Sequence, residues 1–174
     1  MCAQTMILKY SPECIINTGV GGSLDPELHI CDVVIAESLV QHDMDTSPLG
    51  DPVGLISGIN IVNIPCDGRV TAALLKAAEA LDGVHTDAGD IASVDQFIDS
   101  AEAKIRIVDR FGASVCEMEG AAIAQGCYIN SVPFAIVRAV SDCADGSSHM
   151  AYEEFLPNAA ATAARLIEGF VRIY

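Results

Sequence analysis

The chain has 174 residues, of which 51% are hydrophobic, and its formal net charge is −15 at pH 7. This length can bury a substantial core, and we expect residues 1–174 to form one domain. The strong negative charge repels phosphate groups, which argues against nucleic acid and anionic membranes as partners. The apolar runs are too short to span a bilayer and no secretion signal is indicated, so we expect a cytoplasmic location.

The seven cysteines are odd in number, and no two have C-x-x-C spacing. Most lie in apolar surroundings, which favours free, buried thiols in a reducing compartment over a disulfide framework. The four histidines also lack the spacing of zinc ligands. The sequence therefore predicts no metal site.

The first half of the chain is a series of short apolar runs separated by glycine-rich and polar segments. Residues 14–17 form an apolar run, and the glycines that follow at 19–22 are typical of a tight turn. Residues 33–40 are predicted to form a strand, and 61–64 a second extended segment. Between them, 43–60 is rich in Gly, Pro and Asp and is predicted to be a long loop.

The second half alternates helix and strand patterns. A helix is predicted over 68–81, and another begins at Ser100, a favourable N-cap, and ends at Gly112. The remaining predicted elements are an extended segment at 84–94, strands at 114–117 and 134–140, and helices at 120–128 and 152–172. This alternation indicates an α/β fold with a mostly parallel sheet.

Ligands of such sheets gather at the carboxyl ends of the strands. We therefore expect the glycines at 19–22, Phe97, Glu119 and Asp142 to converge, since each follows a predicted strand. The glycine-rich segment has no phosphate-binding spacing and no following lysine, so alone it indicates a turn more than a ligand cradle. Phe97 could stack on a planar base or anchor its loop in the core.

Ser141 and Asp142 end an apolar strand with a hydroxyl and an acid. Asp142 could cap the following turn, which is the more common role of an aspartate in that position. A partly buried carboxyl can also hold a proton near neutral pH and deliver it to a leaving group. Both interpretations stay open from the residues alone.

Glu117 and Glu119 flank Met118 before a helix of small residues. Alternation along a strand predicts that both glutamates lie on one side. One of them could compensate the helix dipole, and the other could accept two hydrogen bonds from a vicinal diol such as ribose. Arg138 interrupts an apolar strand, and a buried arginine needs a carboxylate partner, for which Glu117 or Glu119 is the candidate.

These segments together resemble the nucleoside phosphorylase superfamily, and within it the 5′-methylthioadenosine/S-adenosylhomocysteine nucleosidases. The stretches that carry the resemblance are Ile-Asn-Thr-Gly at 16–19, His-Asp-Met-Asp at 42–45, Asp-Gln-Phe-Ile at 95–98, Glu-Met-Glu-Gly-Ala-Ala-Ile-Ala at 117–124 and Val-Arg-Ala-Val-Ser-Asp-Cys-Ala-Asp at 137–145. The resemblance implies a mixed, mostly parallel sheet flanked by helices in three α/β/α layers. It also implies hydrolysis of the N-glycosidic bond, which releases adenine and a 5-thioribose without a cofactor.

The resemblance also implies roles at the base. Asp142 would protonate adenine N7, and Ser141 would orient that carboxyl. Phe97 would stack on the base, and the backbone of Ile98 would read its edge.

At the sugar, Met118 and Glu119 would hold the ribose hydroxyls, and Arg138 would help to order Glu119 and the attacking water. Val20 and Ala144 would belong to the same substrate-binding site. The loop at 43–54 would close over the 5′-thio group and reach a partner subunit, so a homodimer is expected. The absence of the arginine-bearing phosphate loop of the phosphorylases favours water as the acceptor.

The family's opening strand and its water-activating glutamate have no counterpart in this sequence, which resembles an amino-terminally truncated member. We expect an exposed sheet edge, which pairing with a second copy could cover. Three functions follow as alternatives. The chain is a working nucleosidase in which Glu117 or another acid replaces the base, a weakly active or inactive member that only binds adenine nucleosides, or a structural domain whose acids cap helices.

Overall fold

The computed structural model describes residues 1–143 and 148–174, and for 148–154 it describes only the backbone. Helices and strands alternate along these residues. The strands are β1 (Ile15–Ser23), β2 (Val33–Gln41), β3 (Asn63–Pro65), β4 (Thr86–Ser93), β5 (Val115–Glu117) and β6 (Phe134–Asp142). The helices are α1 (Cys2–Tyr10), α2 (Gly68–Ala78), α3 (Ala101–Phe111), α4 (Gly120–Ile129) and α5 (Ser148–Ile173), with a short 3-10 helix at Ser47–Leu49.

The six strands form one mixed sheet in the order β3-β2-β4-β5-β1-β6. Its longest pairings, β1 with β6 and β2 with β4, are parallel, which confirms the predicted sheet. One relationship was not predicted: the first half of β2 also pairs antiparallel with β6, through Val33–Ala139 and its neighbours. The sheet therefore closes on itself through β2, β4, β5, β1 and β6.

Apolar side chains cover both faces of this sheet. On one face β6 and β2 pack against α2 and α5, where Leu74, Leu166 and Phe170 are buried. On the other face α4 packs against the sheet through Ala121, Ala124 and Cys127. Each large apolar side chain buried in this way contributes about 1.5–3 kcal/mol of transfer free energy. All nine residues of β6 are buried, so its polar members Arg138, Ser141 and Asp142 must find partners inside the protein.

The helix boundaries follow local chemistry. Ser100 Oγ accepts a hydrogen bond from the backbone N–H of Ala103 at 3.2 Å, and Gly112 ends α3 in the left-handed conformation at φ 64°. Both ends of this helix were predicted and are confirmed. Asp67 caps α2 by accepting from the N–H groups of Arg69 and Val70.

The glycines at 19–22 belong to β1 and do not form the predicted turn. They are needed for close approach: a Cβ on Gly21 would lie 2.5 Å from Val115 Cγ1 and 2.8 Å from the carbonyl oxygen of Cys116. The prediction was wrong because glycine serves tight packing between strands as well as turns. Among the described residues, no helix has both the length and the apolar character needed to cross a membrane.

Candidate active site

A cavity of about 1150 Å³ lies at the carboxyl ends of β1, β5 and β6. The loop after β4 forms one wall and α5 forms another. Residues 19–22, Phe97, Glu119 and Asp142 all line this cavity, as the position of each after a strand predicted. Met118, Val20, Ile98 and Ser141 line it too. Ala144 and the end of the motif at 137–145 lie outside the described residues.

A β-bulge sets the position of the acid on β6. In the ladder with β1, Gly21 lies opposite Val140 and Gly22 opposite Asp142, so Ser141 is the extra residue. Ser141 Oγ lies 2.8 Å from Asp142 Oδ1 and donates to that carboxylate. Asp142 is 2% exposed at the wall of the cavity. The end of β6 therefore places the buried carboxyl of Asp142 at the cavity wall, and the hydroxyl of Ser141 fixes the orientation of that carboxyl.

Glu117 is the last residue of β5, and its side chain is buried. One carboxylate oxygen, Oε1, accepts from Ser93 Oγ and from the N–H of Gly120. The other, Oε2, accepts from the N–H groups of Glu119 and Gly120 at 3.1 and 2.8 Å, and from Arg138 Nη2. A carboxylate with this many donors is not available to take a proton from water. This argues against Glu117 as the replacement base.

Glu119 differs from Glu117 in burial and in its hydrogen bonds. It is the N-cap residue of α4, its side chain makes no capping hydrogen bond, and 66% of that side chain is exposed. Both glutamates line the cavity, and both carboxylates approach Arg138 Nη2. They differ in burial, because β5 ends at Glu117 and the backbone turns into the helix before Glu119.

Arg138 lies behind the wall of the cavity. Its guanidinium is 1% exposed, forms an ion pair with Glu117, and donates to Asn17 Oδ1 at 2.6 Å. Its Nη2 atom lies 3.8 Å from Glu119 Oε2. The predicted carboxylate partner is thus Glu117 at close range, with Glu119 next. Arg138 is not among the described residues that line the cavity, whereas both of its carboxylate partners are.

The cavity has aromatic and apolar groups near its opening. Phe97 is 46% exposed on the loop after β4, and Met118 is 43% exposed, whereas Ile98 is nearly buried. The exposure of the Phe97 ring at the cavity favours the base-stacking interpretation over the core-anchoring one. Cys116 also lines the cavity, and burial together with the nearby Asp142 raises the pKa of its thiol to about 12. That thiol is therefore uncharged near neutral pH.

Within residues 1–143 and 148–174, no group of three or more His, Cys, Asp or Glu side chains is arranged to hold a metal ion. Two of the acids that line the cavity accept hydrogen bonds, Glu117 from Arg138 and Asp142 from Ser141. A carboxyl can donate a proton when it is protonated and accept hydrogen bonds from hydroxyl groups when it is ionised.

Comparison with known proteins identifies the family. The family model for the phosphorylase superfamily matches residues 1–172. The chain belongs to the phosphorylase superfamily. This confirms the resemblance carried by the motifs at 117–124 and 137–145.

Individual relatives of this superfamily cover nearly the whole chain. A 5′-methylthioadenosine/S-adenosylhomocysteine nucleosidase of Staphylococcus haemolyticus is 36% identical over 98% of this chain and 75% of the relative. An aminodeoxyfutalosine nucleosidase of Helicobacter pylori is 38% identical over 98% of this chain and 74% of the relative. A Helicobacter pylori nucleosidase mutant, solved with 5′-methylthioadenosine in its active site, matches with a TM-score of 0.93 at 36% identity, over 98% of this chain and 73% of that one.

Sequence reasoning missed several residues of this superfamily site. Ser93 Oγ donates a hydrogen bond to the carboxylate of Glu117, and Asn17 Oδ1 accepts one from Arg138. Neither residue was considered as a site residue. Ser93 carried a usable signal, since it is a polar residue at the end of a predicted strand, like Ser141. The side chains of α5 that line the cavity, Ala159, Ala163 and Ile167 among them, gave no signal because their pattern is that of any core-facing helix.

Proposed function

We propose that this chain hydrolyses the N-glycosidic bond of 5′-thio adenine nucleosides, 5′-methylthioadenosine and S-adenosylhomocysteine, to adenine and a 5-thioribose. The observation that carries the proposal is the meeting of buried Asp142 and exposed Glu119 in one cavity. One acid suits the leaving base and the other suits the sugar. The names of the relatives support the same reaction.

The reaction breaks the bond between C1′ of the sugar and N9 of the base, and adds water across it. As the bond stretches, positive charge develops on the sugar and negative charge on the base. The bonding electron pair leaves with the base, Asp142 gives its proton to N7 of adenine, and the water oxygen bonds to C1′. The proton that this water loses passes to solvent, and Asp142 takes up a proton from solvent before the next turnover. Ser141 keeps the carboxyl of Asp142 directed at the base.

On the sugar side, Glu119 accepts hydrogen bonds from the two ribose hydroxyls, and its negative charge stabilises the cationic transition state. Arg138, 3.8 Å away, orders Glu119 from behind the wall and through it the attacking water. Met118 packs beside the ribose.

On the base side, the ring of Phe97 stacks on adenine, and the backbone of Ile98 pairs with its edge. Val20 and Ala144 complete the substrate-binding residues. The reaction consumes only water, so no cofactor is part of this proposal.

We also propose a cytoplasmic homodimer. Apolar side chains on α1 and α3, such as Leu8 and Ile105, are exposed to solvent. Association with a second copy of the chain would bury them. Sedimentation of the purified chain at micromolar concentration would measure the oligomeric state, and a monomer at all concentrations would contradict the dimer.

The test is adenine release by the purified chain, followed chromatographically with 5′-methylthioadenosine and S-adenosylhomocysteine. Aminodeoxyfutalosine is the second candidate substrate, because a 38% identical relative bears that name. We expect release by the wild type and its loss in Asp142→Asn. Asp90→Asn is the matched control, since Asp90 accepts from Ser38 and Asn63 and does not line the cavity.

The outcomes separate the three alternatives. Turnover that disappears in Asp142→Asn supports the nucleosidase. Binding of adenine nucleosides without turnover would support a binding protein. If the wild type neither binds nor cleaves them, and Asp142→Asn changes nothing, the proposed function is wrong and a structural role remains.

A further inference from the structure

The two glutamates on either side of Met118 have different environments. Both line the cavity, but Glu117 is buried and accepts five hydrogen bonds from four donor groups, whereas Glu119 is mostly exposed. Both carboxylates are close to the same two attractive features, the amino end of α4 and the guanidinium of Arg138. The glutamate that binds the helix end and Arg138 is held in place by them, so the other glutamate remains available to a ligand.

Glu117 is the glutamate that binds the amino end of α4. The amino end of a helix attracts a carboxylate through its unpaired N–H groups. The N-cap residue of α4 is Glu119, and its side chain makes no capping bond. Glu117 accepts from the N–H groups of Glu119 and Gly120 in its place.

The packing around Gly120 is built for this arrangement. A Cβ on Gly120 would lie 3.0 Å from Glu117 Oε1, so a side chain there would press on the carboxylate. Ser93 Oγ donates to Oε1, and accepts from the N–H of Ala121 at 2.7 Å, which ties β4 to the helix through Glu117. The position of Glu117 is therefore fixed from three directions.

Glu117 also forms the close ion pair with Arg138. Among the described residues, the carboxylates that form an ion pair with this buried guanidinium are Glu117, in contact, and Glu119, at 3.8 Å. A buried arginine without a carboxylate is strongly unfavourable. If the charge of Glu117 were removed, Glu119 would be the nearest anion able to move onto Arg138.

We propose that Glu117 is a positioning residue that keeps Glu119 from closing on Arg138 beyond their 3.8 Å ion pair, and keeps it off the helix end, so that Glu119 remains available to a ligand diol. The proposal rests on the proposed function, because it assumes that Glu119 binds the ribose hydroxyls. In Glu117→Gln the amide fills the same space, but its charge is gone. Glu119 then turns toward Arg138, and recognition of the diol is lost while recognition of the base remains.

The experiment compares the affinities of adenosine and 2′,3′-dideoxyadenosine, which differ only in the two hydroxyls. Binding is measured by calorimetry in the Asp142→Asn background, where hydrolysis does not consume the ligand. We expect this parent to prefer adenosine by about 10- to 100-fold, because each hydrogen bond to a charged group is favourable. Adding Glu117→Gln should reduce the preference to within about threefold and leave the affinity for dideoxyadenosine unchanged.

Two further variants separate positioning from a general loss of structure. Glu119→Gln should abolish the preference to a similar extent, since both changes remove the same interaction. Glu117→Gln combined with Arg138→Met removes both buried charges, so it should be at least as stable as Glu117→Gln alone. It should also regain part of the preference, because no buried guanidinium attracts Glu119.

The possible results point to different conclusions. If Glu117→Gln keeps the parent's preference, or weakens both ligands equally, the positioning role is wrong and Glu117 is structural. If the double variant folds and shows no more preference than Glu117→Gln, competition by Arg138 is wrong. A parent that binds adenine but does not distinguish the two nucleosides overturns the diol role of Glu119, and the positioning role with it; a parent that binds none of these ligands overturns the proposed function itself.

Discussion

Ser141 Oγ donates a hydrogen bond to Asp142 Oδ1 at 2.8 Å, between neighbouring residues of one strand. Adjacent strand residues normally point to opposite faces of a sheet. The bulge opposite Gly21 and Gly22 breaks that alternation and lets the hydroxyl turn toward the carboxylate. This hydrogen bond therefore fixes the orientation of the Asp142 carboxyl group at the end of β6.

Removal of this hydroxyl should slow the reaction more than it weakens binding. In Ser141→Ala we expect kcat for adenine release to fall about 10- to 150-fold with KM little changed, because a hydrogen bond to a charged group contributes about 1.5–3 kcal/mol. Ser38→Ala is the matched control, since Ser38 also donates to an aspartate, Asp90 at 2.6 Å, away from the cavity. Equal rates for Ser141→Ala and the wild type would contradict the orienting role.

Phe97 should contribute to ligand affinity and little to folding. Stacking of a base on an aromatic side chain contributes about 1–3 kcal/mol by alanine substitution, so Phe97→Ala should weaken binding of adenine roughly 5- to 150-fold. Because the ring is 46% exposed, the free energy of unfolding should change little. Tyr128→Ala is the control, with 41% exposure outside the cavity. Loss of affinity in both variants, or in neither, would contradict the stacking.

Gly21 should not tolerate even a methyl group. A Cβ there would overlap Val115 Cγ1 and the carbonyl of Cys116, so Gly21→Ala should lower the free energy of unfolding by about 1–3 kcal/mol in urea titrations. Gly126→Ala provides the opposite case, because among the described residues no atom outside the adjacent backbone of α4 lies within 4 Å of its Cβ position. It should be neutral, or stabilising by up to about 1 kcal/mol through helix propensity. A tolerated Gly21→Ala would mean that β1 and β5 separate easily.

The cysteines should react with iodoacetamide in a definite order. Burial raises the pKa of Cys66 and Cys116 to about 12 and that of Cys127 to about 11, so few thiolates form at pH 8. Cys2 is exposed and should be labelled first. Peptide mass spectrometry of briefly labelled native protein would measure this, with urea-denatured protein as the control. Labelling of Cys116 as fast as Cys2 would contradict the buried environment.

His42 should make the protein less stable in mild acid. Burial lowers the pKa of His42 below its ordinary value of 6.5, against a smaller opposing effect of Asp43. The unfolded state therefore binds a proton more readily, and stability that is present above pH 6.5 is lost as the pH falls toward the folded-state pKa. The free energy of unfolding should decrease between pH 7.5 and 5.5, and less so in His42→Gln. Identical pH dependence in both proteins would contradict this assignment.

Local chemistry was enough to predict most elements. Helix α3 was predicted at both ends because Ser100 and Gly112 act on the backbone within a few residues. The strand that ends in Ser141 and Asp142 was evident because an apolar run must be buried and a polar end then stands out. The rule that ligands gather at carboxyl strand ends brought Phe97, Glu119 and Asp142 together correctly.

Predictions that depended on contacts between distant segments were the ones that went wrong. The glycines at 19–22 serve the approach of β1 to β5, which is about 90 residues away along the chain. The pairing of β2 with β6 that closes the sheet has no signature in either strand. Local propensities contain no term for such neighbours.

The sequence by itself determined the candidate site residues: a hydroxyl and acid at the end of β6, two glutamates before α4, and one arginine in an apolar strand. Only the tertiary structure decided which of the two glutamates is buried. Where β5 ends, and where Arg138 and Ser93 lie relative to that end, makes Glu117 the buried partner and leaves Glu119 mostly exposed. Burial and pairing of charges are properties of assembled neighbours, so residue type and spacing cannot specify them alone.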